Sequence, residues 1–469
     1  MLDRFELRIP RNAWTWDMCI RWFRPRRTLK AIALATVMTL QLIADATAAP
    51  GDLDQTFSGD GWVLTAEVHN QTDAYLPGAV EDIAIQPDGR IVAVGEIQDG
   101  SSNRYFGVLR YTRDGDLDVS FGAGGWVVHS LSSGDFPLMV ALQNDGKILV
   151  GGESWCGLWF CFALVRYNPD GSFDPTFGET GVVRTTLSLP GGRWYELAVQ
   201  PDGKIVAVGS RVLYGRYPYH RIFHRVTRFL PNGDLDPSFS KDGHVLINFA
   251  KGEASESARA IAIQGDGKIV IAGTSDDDFS VARLRRNGTL DPTFSGDGRQ
   301  TIGFGVDRRE IAHALDIQSD GRILLAGSTG IFEAPGYPSS DLPPRIALAR
   351  LNRNGSLDGT FARGGKERLR LPPDGGYARA VIQHPDGRII VGGLRYVDKS
   401  VSTKTDLLVV RYRNNGTLDP SFGGDGIVTR DLGSSDAVAA LGVQQDGKIV
   451  AGGGITYHPG HMLLRYNAT

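Results

Sequence analysis

Cysteine is scarce: three residues in 469, at Cys19, Cys156 and Cys161. A chain this long cannot be a disulfide-dense scaffold, and so few thiols cannot build a structural zinc site alone. No run of 18 apolar residues occurs, so no membrane-spanning helix and no integral membrane segment are expected. No excess of charge is present either. The 50 Lys and Arg stand against 53 Asp and Glu, a formal net of -3; the basic footprint of a nucleic-acid binder is missing, and nucleic acid is not expected as a partner. The nine histidines (His69, His129, His220, His224, His244, His313, His384, His458 and His461) form no H-E-x-x-H, and there is no G-x-S-x-G elbow or Walker loop. No cofactor and no metal are expected. Hydrophobic residues at 41% and charged residues at 22% exclude a disordered chain. Glycine is in excess, 60 of 469, where about 7% is usual, and that signals many turns.

The first 48 residues read as an export signal. Arg21–Lys30 carry five positive charges and no acid, Ala31–Ile43 form a mostly apolar stretch, and Ala46 and Ala48 supply an A-x-A site with cleavage after Ala48. Met18 is an alternative start, and Arg26-Arg27 leaves the choice between general and twin-arginine export open. Residues 49–469 are then the mature chain, secreted or periplasmic, with 42 basic and 49 acidic side chains. An even pair of cysteines in an exported protein predicts a disulfide between Cys156 and Cys161, which sit at the two roots of one short loop.

Three signatures recur seven times. The first, L/F-D-x-[ST]-F, begins at Leu53, Leu117, Phe173, Leu235, Leu290, Leu357 and Leu418. The second is an apolar run, a glutamine (Gln86, Gln143, Gln200, Gln264, Gln318, Gln383, Gln444) and a turn ending in Asp-Gly and Lys or Arg. The third is an apolar run ending in Arg and an aromatic or Leu, as in Val108-Leu109-Arg110-Tyr111. A period near sixty residues overrides the three domains that length alone suggests. Each copy reads as four short strands: a (as Trp62-Val63-Leu64-Thr65), b (Asp82–Gln86), c (Arg90–Gly95) and d (Phe106–Tyr111). Pro87-Asp88-Gly89 closes the b–c hairpin. Four antiparallel strands repeated seven times predict an all-β fold, a seven-bladed propeller, with strand a innermost.

The pairing of L-D-x-[ST]-F with Q-P-D-G-K-I-V resembles the delta-60 repeat family of bacterial exported proteins over residues 51–469. The resemblance implies a β-propeller of unassigned function and transfers no catalytic residue. Gly359, Gly265 and Ser319 stand where the family pattern has proline.

The b–c turns and d–a linkers share one face, and the a–b and c–d loops share the other. The second face varies most in length and chemistry, which marks it as the working surface. Its ligand-binding candidates are Trp155, Trp159, Tyr214, Tyr217, Tyr219, His220, Phe332 and Tyr337, aromatics with basic neighbours that suit a surface glycan or protein. With strand a innermost, Arg184, Arg299, Lys366, Arg368, Arg370 and Arg430 would give the channel a half-ring of positive charge for an anion. The function expected is a monomeric binding or scaffold module; the alternative, a hydrolase or lyase with an axial site, needs carboxylates or histidines converging on the axis, and no excess of them is visible. Finally, Asp54 lacks an upstream Arg and Arg465 a downstream Asp, although six other pairs stand eight apart, from Arg110–Asp118 to Arg411–Asp419. The ends are predicted to meet, with Asp54 and Phe57 docking on the strand of Arg465.

Overall fold

The computed structural model describes residues 48–65, 78–99, 101, 103–157, 159–178, 180–185, 192–214, 220–249, 256–305, 309–330, 343–397, 404–433, 435–455 and 458–468, without the side chains of Tyr214, His220, Ile455, His458 and Pro459. Apolar runs such as Ile91-Val92-Ala93-Val94 are short and β-branched, which favours strands over helices. The first strands are β1 (Trp62–Thr65), β2 (Val80–Ile85), β3 (Ile91–Gln98), β4 (Arg104–Tyr111), β5 (Trp126–His129), β6 (Asp135–Leu142), β7 (Ile148–Trp155), β8 (Phe160–Tyr167) and β9 (Val182–Thr185). They continue as β10 (Trp194–Val199), β11 (Ile205–Tyr214), β12 (His220–Phe229), β13 (His244–Ile247), β14 (Ser257–Ile263), β15 (Ile269–Ser275), β16 (Asp278–Leu284), β17 (Arg299–Ile302), β18 (Glu310–Ile317) and β19 (Ile323–Thr329). The last are β20 (Arg345–Leu351), β21 (Lys366–Leu369), β22 (Gly376–Gln383), β23 (Ile389–Tyr396), β24 (Thr405–Tyr412), β25 (Ile427–Arg430), β26 (Asp436–Val443), β27 (Ile449–Ile455) and β28 (His458–Tyr466).

These strands form seven four-stranded antiparallel sheets, the blades of a propeller. Each blade packs on its neighbours through both faces, so the two middle strands read as continuous apolar runs. The core is a set of clusters between adjacent blades; Val92, Val94 and Phe106 of blade 1, for example, pack on Val140, Val150 and Val165 of blade 2.

Blade and sequence repeat are out of phase by one strand. The order β2-β3-β4-β5 runs b-c-d and then strand a of the next repeat. Strand b is innermost, because the seven b strands β2, β6, β10, β14, β18, β22 and β26 together line one axial cavity. The expectation that strand a lines the channel is therefore corrected. Strand a has only four residues, half-exposed and often charged, which is the composition of a sheet edge. Arg184, Arg299, Lys366, Arg368 and Arg430 lie on these outer strands, with Arg370 just past β21. There they brace the rim: Arg184 donates to the carbonyl of Leu131, Arg299 to that of Asn248 (2.6 Å) and Lys366 to that of Gly303 (2.7 Å).

The same phase shift closes the ring. β1 pairs antiparallel with β28 and completes the seventh blade, β26-β27-β28. Leu53 bridges Tyr466, the Asp54 N–H donates to the Arg465 carbonyl at 2.8 Å, and Asp54 Oδ2 meets Arg465 Nε at 2.6 Å. Phe57 is fully buried, with the Arg465 guanidinium 4.8 Å above its ring.

That arrangement recurs in every blade. Strand-d arginines pair with linker aspartates at 2.7–2.9 Å in Arg110–Asp118, Arg166–Asp174, Arg228–Asp236, Arg283–Asp291, Arg350–Asp358 and Arg411–Asp419. Each arginine also reaches a backbone carbonyl of the next blade, such as Pro231 from Arg166 (2.6 Å) and Arg113 from Arg465 (2.5 Å). The basic residue ending the Asp-Gly-Lys/Arg turn meets the same aspartate: Arg90, Lys147, Lys204, Lys268, Arg322, Arg388 and Lys448. All three repeated signatures thus meet at one ion cluster. In repeat 6 the turn position is held by His384 rather than Gln383: His384 Nε2 lies 2.8 Å from the Gly447 carbonyl, as Gln444 Nε2 lies 2.8 Å from that of Gly89.

Candidate functional site

All seven inner strands carry a β-bulge at the same height. The register skips one residue between Val80 and Asp82, Pro137 and Met139, Trp194 and Glu196, Ala258 and Ala260, Ala312 and Ala314, Ala378 and Ala380, and Val438 and Ala440. A bulge breaks the in–out alternation and re-aims one side chain. The skipped residues, Glu81, Leu138, Tyr195, Arg259, His313, Arg379 and Ala439, all line the axial cavity of about 200 Å³. Facing each bulge on strand c is a glycine: Gly95, Gly152, Gly209, Gly273, Gly327, Gly393 and Gly453. A Cβ at any of them would collide with a carbonyl oxygen on, or one residue before, the bulged strand.

The axial ring opens on one side into a larger cavity of about 730 Å³, lined by Glu81, Leu138, Tyr195, Arg379 and Ala439 from the ring and by Phe136, Glu153, Trp155, Trp159, Phe160, Arg193 and Trp194. Its outer wall is the β7–β8 loop. Asp135, fully buried, anchors the root of that wall by accepting from the N–H groups of Leu131 (2.6 Å) and Ser132 (3.0 Å) and from Ser154 Oγ (2.7 Å). Cys156 and Cys161 form a disulfide, and the Cys156 N–H donates to the Trp159 carbonyl at 2.9 Å. Trp155, Trp159 and Phe160 remain 40%, 53% and 37% exposed, a contiguous aromatic patch held on a tied loop. Trp155 and Phe160 meet edge to face at 5.0 Å, and Phe160 meets Phe136 at 5.4 Å.

Charges in the ring are set by confinement. Glu81 presents surface to the cavity yet is crowded by protein, and this desolvation raises its carboxyl against the opposing pull of Arg379. Burial pushes Asp82 to about 7 and Glu196 to about 8, although each accepts a backbone N–H of the next blade, Val140 (2.8 Å) and Ile261 (2.6 Å). His313 is driven down to about 3, by burial first and then by Arg259, Arg379 and Arg309. Glu153 is raised by burial, opposed by the Trp194 N–H that it accepts at 3.3 Å and by Arg193. No group of three or more His, Cys, Asp or Glu among the described residues is arranged to hold a metal.

Of the aromatic candidates, Trp155 and Trp159 line this cavity. Tyr214 and His220 pair across β11 and β12 with side chains that are not described; Tyr217, Tyr219, Phe332 and Tyr337 lie outside the described residues. Lys366 and Arg368 line a separate rim cavity of about 230 Å³ with Phe304, Arg345, Arg363 and Glu367. The sequence reading missed the axial ring, Glu153, Arg193 and Trp194. The strand-c glycine, repeated seven times, was the signal that could have found the ring.

Five segments, residues 86–121, 143–177, 264–294, 318–361 and 384–422, match the family model described as "Domain of unknown function (DUF5122) beta-propeller". Each match runs from the turn glutamine, or His384, to the linker phenylalanine, and so coincides with one of the sequence repeats. A search of curated proteins finds none that matches. Among solved structures, a protein of unknown function from Dyadobacter fermentans is 12% identical with a TM-score of 0.40, covering 78% of this chain and 97% of its own. Sqt1 from Chaetomium thermophilum is 11% identical at 0.45, covering 84% and 97%, and the polysaccharide lyase Uly1 is 12% identical at 0.45, covering 83% and 90%.

Proposed function

We propose that this chain is an exported propeller of the delta-60 repeat kind that acts as a monomer and binds a saccharide between the Trp155–Trp159 loop and the axial ring. The observation that carries the proposal is the single cavity joining an exposed, tethered aromatic wall to polar groups at the axis. Sugar rings present apolar faces that stack on indoles, while their hydroxyls need hydrogen-bonding groups at the edges; Glu153, Arg193 and Tyr195 are placed for that. The test is a glycan panel read by calorimetry with wild type and the Trp155→Ala/Trp159→Ala double variant. Binding is expected to weaken at least about tenfold while the thermal midpoint stays put, because both indoles are exposed. Equal affinity in the variant, or preferential capture of a surface protein instead, counts against the saccharide. Export is checked by N-terminal sequencing of the secreted or periplasmic protein, which should begin at Ala49.

A second reading is catalysis at the axis. It is favoured by the convergence there of Glu81, Tyr195, His313 and two arginines, with the Glu81 carboxyl held above its ordinary range by desolvation. Turnover of a bound glycan that disappears in Glu81→Gln would select it.

A further inference from the structure

We infer that the axial end of the cavity is an oxyanion subsite: Arg259, His313 and Arg379, carried on the bulges of three consecutive blades, hold the carboxylate or sulfate group of an acidic ligand. Assigning that group to a saccharide rests on the function proposed above; the anion subsite itself rests on the ring. Both guanidinium groups lie on the walls of one narrow axial cavity. Arg259 stacks over the Tyr195 ring at 4.9 Å, which leaves the donor edge of the guanidinium free to point elsewhere. Its Nε is buried with no hydrogen-bond partner among the described residues. Arg379 is exposed at the very centre of the molecule, into the cavity that also holds the aromatic wall. Two like charges confined this way repel each other, and little nearby offsets them. Asp82 and Glu196 are pushed towards their neutral forms by burial, and Glu81 faces Arg379 alone. His313, between the two arginines in blade order, stays neutral and has an N–H to offer. A planar or tetrahedral oxyanion meets all three needs: it takes the guanidinium forks, accepts from imidazole, and relieves the repulsion. Leu138 and Ala439 of the ring line both this cavity and the larger one, so one anionic substituent can enter from the larger cavity.

The experiment follows the His313 ring resonances by NMR in histidine-labelled protein, titrated separately with sodium glucuronate and with sodium sulfate at constant ionic strength. Arg259→Gln and Arg379→Gln are run alongside, each first shown to keep the wild-type thermal midpoint. A saturable shift in wild type that weakens at least about tenfold in both variants is expected. Response to glucuronate alone marks a carboxylate subsite, to sulfate alone a sulfate subsite, and to both a shared one. No saturable shift, or one that persists undiminished in both variants, overturns the proposal. A clean anion response with no Trp155-dependent glycan binding would leave the subsite standing while the saccharide reading falls.

Discussion

At the residue scale the ring is held by a repeated set of four contacts. Each linker aspartate takes an arginine from strand d and a Lys or Arg from the b–c turn; each arginine covers a buried phenylalanine and ties to the next blade. Burial, the largest single influence on Asp54, pushes its carboxyl up, yet the Lys448 and Thr56 hydrogen bonds and the Arg465 charge outweigh it and hold the group at about 2. Phe57→Ala should cost roughly 3–5 kcal/mol, the ordinary loss for a buried aromatic, measured by urea unfolding. The Arg–Asp sets were legible in the sequence because both partners sit on one local hairpin at fixed spacing. The axial ring was not, because a bulge advances the alternation by one residue and turns a position that simple periodicity assigns elsewhere towards the axis. Glu196 gives the ring a pH signature. Its carboxyl lies at about 8 in the folded protein against 4.5 ordinarily, so between those values the folded state keeps a proton that the unfolded chain releases. That contribution to stability is whole below pH 4.5 and is lost as the pH climbs through 8. His224, His313 and His461, all lowered by burial, act in the opposite sense below 6.5, so the decline is cleanest above it. The urea midpoint of wild type should fall more steeply between pH 6.5 and 8 than that of Glu196→Gln; parallel slopes would refute this.

At the scale of the element, position in the sheet decided what the sequence could reveal. Strands b, c and d were recognisable by their apolar runs, whereas the four-residue a strands had the charged composition of an edge and were assigned to the axis instead. Strand-c glycines carry the bulges. Gly273→Ala would drive a methyl into the Ser257 carbonyl and force β14 either to shift or to lose its bulge, swinging Arg259 off the axis. A loss of about 1–3 kcal/mol is expected, with anion binding lost as well. The β7–β8 loop is stiffened by its disulfide, which closes only a short segment, so Cys156→Ser/Cys161→Ser should cost at most ~2–3 kcal/mol and weaken ligand binding more than stability. Mass spectrometry of unreduced protein should find no alkylatable thiol at Cys156 or Cys161.

At the scale of the molecule, the seam between blades 1 and 7 is packed like the other blade junctions: Ile83 and Ile91 of blade 1 share one core cluster with Ala440, Val450 and Leu463 of blade 7. Closure by the outermost strand was legible from the one unmatched Asp and the one unmatched Arg. Deleting Gly51–Gly61 removes Asp54 and Phe57 together and should lower stability by several kcal/mol, at least the ~3–5 of the phenylalanine alone. An unchanged urea midpoint in the deletion protein would show that the seam contributes nothing.

Ring closure also fixes a timetable. Asp54 and Arg465 lie 411 positions apart, and a ribosome adding about 5–20 residues per second separates their appearance by roughly 20–80 s. Throughout that interval β1 is a lone strand whose partner has not been made. Its hydrogen-bonding edge stays unpaired until β28 has been made. The final joining step is therefore a loop closure spanning nearly the whole propeller, a contact of very high sequence separation and of a kind that forms slowly.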